Sequence, residues 1–149
     1  PWTDNNNENY VCPVVEGNSH YIVVGADTSI EYYTINETTG TGARVCFLNG
    51  SDSELTRMEV STSWKEGVVA YTEDLLKFEI TNFVTIKPGT YSIFWQFPSM
   101  VEENNYFYYP DSRGNSAEIF SFEDGNYFLF LAYTKGRDDY AVLYNITPQ

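Results

Sequence analysis

The sequence predicts an all-β protein, an antiparallel up-and-down β-barrel of about eight strands with little helix. Two observations carry this. Apolar and polar residues alternate with period two through the middle of the chain, and Gly- and Pro-marked turns separate the alternating runs at short intervals. A third concerns the run 126–146, NYFLFLAYTKGRDDYAVLYNI, which is apolar on both strand faces. One face suits a core or cavity and the other a covering segment, as in a small barrel.

In chain order, residues 1–11 are polar and Asn-rich with no period and read as a flexible N-terminal arm. Residues 12–149 form a single barrel domain, a size that buries one sizeable core. HYIVVGAD and IEYYTI are β-branched and aromatic strands, NETTGTG is a loop, and ARVCFLN is a strand closed by the turn NGSDS. In LTRMEVSTSW, Met58, Val60 and Trp64 oppose Arg57, Glu59, Ser61 and Ser63. In LLKFEITNF, Leu76, Phe78 and Ile80 oppose Lys77, Glu79 and Thr81. In TYSIFWQF, Tyr91, Ile93, Trp95 and Phe97 oppose Ser92, Phe94 and Gln96. SDSELTRME has Ser51 or Ser53 as helix N-cap candidates, but the alternation that follows favours strand. Asp124-Gly125, between FSF and NYFLF, signals a hairpin.

Eight Lys plus Arg against 21 Asp plus Glu give a net charge of −13. That field repels phosphate backbones, and no basic patch offsets it, so nucleic acid is excluded as a partner. No run reaches the roughly 20 apolar residues of a membrane span. The chain begins Pro1-Trp2 and reads as a mature form whose leader has been removed. N-x-S/T sequons at Asn36, Asn49 and Asn145 then read as glycosylation sites of a secreted, extracellular protein. In that setting the two cysteines, Cys12 and Cys46, are most simply one disulfide; the alternative is a pair of free thiols in a cytosolic protein.

Catalytic chemistry finds little support. His20 is the single histidine and has no nucleophile motif to serve. The acidic pairs Glu73-Asp74, Glu102-Glu103, Glu123-Asp124 and Asp138-Asp139 sit adjacent in turns, where a glycosidase would need carboxylates facing across a substrate. One His and two distant Cys do not make a zinc site, and NGSDSE lacks EF-hand spacing. The expectation is a non-enzyme with no metal and no cofactor.

Aromatic residues, 17% of the chain, point to binding instead. Inward-facing candidates are Tyr21, Met58, Val60, Trp64, Phe78, Ile80, Tyr91, Ile93 and Trp95, which either line a ligand cavity or fill a core. The last hairpin, YFLFLAYTKGRDDYAVLYNI, resembles the late hairpin of lipocalins. Asp139-Tyr140-Ala141-Val142-Leu143-Tyr144 matches its second strand, and Thr134 with Asp138-Asp139 stands at its Thr-Asp-Tyr turn. The family's first-strand Gly-x-Trp signature is absent, as it is from some divergent arthropod salivary lipocalins. The resemblance implies a secreted barrel that carries or scavenges a small hydrophobic or aromatic molecule, a lipid or a biogenic amine, with Ala141 and Leu143 facing the cavity. The alternative is a β-sandwich or plugged barrel that binds protein or glycan through exposed aromatics, above all NYFYYP at 105–110.

Overall fold

Two sheets meet on one apolar core. The structure, a computed structural model, describes residues 2–3, 9–10, 18–24, 30–36, 40–51, 53–63, 66–97, 107–108, 120–135 and 138–147, with side chains for 40–51, 53–62, 66–97, 120–133 and 141–147. The strands are β1 (Trp2–Thr3), β2 (Asn9–Tyr10), β3 (Asn18–Val24), β4 (Ile30–Asn36), β5 (Ala43–Asn49), β6 (Leu55–Ser63), β7 (Glu66–Leu75), β8 (Val84–Ile86), β9 (Gly89–Gln96), β10 (Phe107–Tyr108), β11 (Phe120–Phe122), β12 (Tyr127–Lys135) and β13 (Asp138–Asn145). No helix occurs among the described residues.

One sheet has five strands in the order β10-β9-β6-β7, with β11 also paired to β9; the other has four, β13-β12-β5-β8. Two hairpins, β3-β4 and β1-β2, form separate ladders, the second inside the segment expected to be an arm. Among the described residues no ladder joins the two large sheets. The sheet is also not wholly antiparallel, because β12 pairs with β5 in parallel from Tyr127↔Arg44 to Ala132↔Asn49.

The alternation expected for β6 and β9 sets the core. Met58 and Val60 pair with Trp95 and Ile93 in register and face inward, against Val45 and Phe47 of β5, Phe128 and Phe130 of β12 and Ala141 of β13. Phe122 packs on Phe128 with ring centroids 4.6 Å apart and meets Tyr91 edge-on at 5.7 Å. Truncating a fully buried phenylalanine such as Phe47, Phe122 or Phe130 costs about 3–5 kcal/mol.

The two apolar faces of the last hairpin have separate partners. Phe128, Phe130 and Ala132 enter the shared core. On the opposite face Leu129 joins Cys46, Leu48 and Phe83, flanked by Ile80, Tyr127, Leu131 and Ile146. β5 is therefore buried at every residue. Of the strand expected over LLKFEITNF (75–83), Leu75 ends β7, and residues 76–83 form instead the connection that supplies Ile80 and Phe83. Positive φ at Phe78 (55°), after one at Asp74 (51°) near the end of β7, breaks the rhythm, and Glu79 N–H donates to Leu76 O to close a turn. The segment then runs beside β5, where Thr81 N–H donates to Phe47 O and Asn49 N–H to Glu79 O.

The Asp124-Gly125 turn also departs from expectation. It does not close a β11–β12 hairpin but carries the chain from one sheet to the other, since β11 pairs with β9 and β12 with β13 and β5. Its anchor is the loop before β5. Gly42 N–H donates to Asp124 Oδ1 at 2.6 Å, and Gly125 N–H donates to Gly42 O at 3.0 Å.

The expected Cys12–Cys46 disulfide is not formed at Cys46, a free thiol with no exposed surface. It lies on the outer apolar face of β5, and burial pushes its pKa up to about 12. Cys12 lies outside the described residues.

Candidate functional site

Five of the expected binding residues come together. Met58, Val60, Tyr91, Ile93 and Trp95 are buried and packed in the shared core, with Leu143 against its margin. Phe78 is buried in the turn after β7, with the Lys77 ammonium 4.8 Å from its ring centre, and Ile80 belongs to the other cluster. Tyr21 lies in β3 without a described side chain, and Trp64 lies outside the described residues, as do the side chains of 105–110.

The opposite face of β6 and β9 has a different chemistry. Pairing registers place Arg57 beside Gln96 and Glu73, Glu59 beside Phe94 and Tyr71, and Ser61 beside Ser92. Alternation makes this the solvent face, yet Glu59 is 2% exposed, Ser61 0%, Gln96 5% and Ser92 7%. The β6–β7 ladder shifts register between Val60 and Ser61, so a bulge sits beside these groups. Bulges re-aim side chains and recur next to binding sites.

Within this face Arg57 Nε donates to Glu59 Oε2 at 2.8 Å, and Arg57 Nη1 pairs with Glu73 Oε1. The guanidinium lies 4.5 Å from the Tyr71 ring centre, and Tyr71 is 55% exposed. Among the described residues, Glu59 Oε1 and Ser61 Oγ are buried without a hydrogen-bond partner. Desolvation raises the Glu59 pKa, opposed by the hydrogen bond and the charge of Arg57. Buried polar atoms are almost always paired, so each one left unpaired calls for a specific explanation, such as a bound water, ion or ligand group. What this arrangement can do is accept a neutral N–H or O–H donor at Glu59 Oε1 and exchange a hydrogen bond with Ser61 Oγ. A second cation at Glu59 would meet the Arg57 charge at close range.

Glu59, Ser61, Ser92 and Gln96 did not stand among the candidates, because period two assigns them to water. The available signal was Phe94, a large apolar residue between Ser92 and Gln96 on the face expected to be wet. Among the described residues no cluster of His, Cys, Asp and Glu is arranged to hold a metal ion, and no helix is long and apolar enough to cross a membrane. No protein-family model matches the chain, and no curated protein matches it.

Proposed function

We propose that the chain is a secreted, non-enzymatic carrier or scavenger of a small molecule with an apolar or aromatic body and one hydrogen-bond donor, similar in kind to the lipocalins. The observation that carries this reading is the buried, unpaired pair Glu59 Oε1 and Ser61 Oγ, beside Phe94 and the Arg57–Tyr71 stack. A donor on the ligand would satisfy the carboxylate, and an aromatic body would lie against the rings. The lipocalin-like hairpin adds support through Ala141 and Leu143, which pack toward the shared core while Tyr144 is exposed. In this reading Met58, Val60, Ile93 and Trp95 fill the core between the two sheets, and the ligand is seated on the opposite face of β6 and β9, at Glu59 and Ser61.

The test is native mass spectrometry of protein secreted by its source, followed by thermal shift with fatty acids, retinoids and aromatic amines. A bound small molecule and stabilisation that Glu59→Gln with Ser61→Ala removes is the expected result. Absence of both a bound molecule and any stabilisation overturns the proposal.

A second reading has its own observation. Tyr71 and Val68 are exposed on β7, and Arg57 is stacked on the Tyr71 ring, a flat aromatic and guanidinium surface suited to a glycan or a protein. Binding on a glycan array that Tyr71→Ala abolishes and Glu59→Gln leaves intact would favour it.

A further inference from the structure

The sequons at Asn49 and Asn145 are chemically alike in sequence and opposite in structure. Asn49 ends β5 with no exposed surface. Its Nδ2 donates to Ser53 O at 2.8 Å and to Leu75 O at 2.9 Å, which uses both amide hydrogens. Its Oδ1 accepts from Ser51 N–H at 3.0 Å and from Ser51 Oγ at 2.6 Å. Ser51, the sequon's hydroxyl residue, is itself 1% exposed, and its hydroxyl is drawn into the same turn. N-linked attachment replaces one Nδ2 hydrogen by a sugar, so at Asn49 it would delete one of these bonds and force an oligosaccharide into packed protein.

Asn145 is the last residue of β13 and is exposed. By strand parity it shares a face with Ala141 and Leu143, so its exposure depends on the strand ending there. β13 is the outermost strand of its sheet. Asn145 Oδ1 accepts from Thr147 N–H at 3.1 Å and from Thr147 Oγ1 at 2.5 Å, and Thr147 Oγ1 accepts in turn from Tyr127 N–H at 3.0 Å. The asparagine and hydroxyl of this sequon are thus held together at the surface. Both bonds engage the carboxamide oxygen, so modification of Nδ2 leaves them intact.

We infer that Asn145 is a glycan acceptor and that folding closes Asn49 to the same chemistry. The inference uses only the secretory part of the function proposed above and is independent of any ligand. In the reaction, Nδ2 of Asn145 attacks the anomeric carbon of an oligosaccharide carried on a lipid diphosphate. A C–N bond forms as the C–O bond to phosphate breaks, the lipid diphosphate leaves with the electron pair, and one amide proton passes to the transferase. Asn36 lies in β4, and its side chain is outside the described residues.

The test takes the full chain, folded and unmodified from bacterial expression, and incubates it with a single-subunit oligosaccharyltransferase and lipid-diphosphate oligosaccharide. Site occupancy is read by peptide mass spectrometry, with a synthetic peptide spanning 44–56 as the unfolded comparator for the Asn49 sequon. The expected result is modification at Asn145 at least about tenfold faster than at Asn49, loss of that product in Asn145→Gln, and modification of the free peptide. Equal rates at the two asparagines in the folded chain, an unmodified Asn145, or a peptide no better than folded Asn49 would each overturn the inference. Ligand binding can fail in a separate assay without changing this outcome.

Discussion

Replacing Asn49 tests whether one buried carboxamide holds the end of β5 to two neighbouring segments. In Asn49→Ala, Leu75 O and Ser51 N–H lose their bond to this side chain, while Ser51 Oγ and Ser53 O keep each other at 2.8 Å. Each buried backbone group left unsatisfied costs ~1–3 kcal/mol, so the two together predict a loss of about 2–6 kcal/mol. Asn49→Asp separates the two halves of the effect. It keeps the acceptor for Ser51 but turns a carboxylate oxygen toward two carbonyls without a donor, and burial of that charge makes it no milder than alanine. The assay is urea unfolding followed by tryptophan fluorescence, comparing midpoints at constant slope. A shift below about 0.5 kcal/mol for either variant, the size of an ordinary surface substitution, would refute the view that this turn is closed by Asn49.

Three further outcomes are expected. Because the folded pKa of Glu59 is raised above its ordinary 4.5 by desolvation, the folded state holds the proton more tightly than the unfolded chain. Its stabilising effect is full below 4.5 and is lost as pH rises through the folded value, so unfolding curves of wild type and Glu59→Gln should diverge in favour of the variant over that window. In Cys12→Ser protein, Cys46 should resist Ellman's reagent at pH 8 until denaturant is added, since its pKa is pushed up to about 12; prompt native labelling would contradict its burial. At Gly42, with φ +112°, an added Cβ would sit 2.7 Å from Thr85 Cγ2 and 2.9 Å from Ile86 O, whereas at Gly125, φ +78°, it would meet nothing within 4 Å. Thermal unfolding should therefore show Gly42→Ala costing more than Gly125→Ala, for which backbone strain alone gives about 1–2 kcal/mol.

What alternation could reveal was which face of β6 and β9 holds Met58, Val60, Ile93 and Trp95, because a one-residue slip would move every one of them to the other side. What it could not reveal was partnership. Period two is the same in parallel and antiparallel ladders, so nothing in YFLFLAY announces that it lies parallel to ARVCFLN. LLKFEI has the same rhythm as a true strand, yet left-handed backbone at Asp74 and Phe78 turns it into a connection. Asp124-Gly125 carried the residues of a hairpin and makes a crossing between sheets, because its carboxylate bonds to a loop distant in sequence. At the candidate site the same alternation misled, since burial of Glu59 and Ser61 is a tertiary fact with no local rhythm to mark it.

The parallel pairing of β5 with β12 also governs the order of events in folding. Cys46 and Phe128, which meet across it, stand 82 residues apart. β5 is apolar on both faces, so after synthesis it must wait for a distant segment while exposing a β-branched and aromatic run. Non-local pairing of this kind slows folding, and a waiting apolar strand is open to other chains. The segment 76–83 is nearer in sequence: Thr81 bonds to Phe47 through both its backbone N–H and its hydroxyl, on the edge of β5 away from β12. The connection that looks like a failed strand thus covers the edge of the central strand opposite the one that β12 takes.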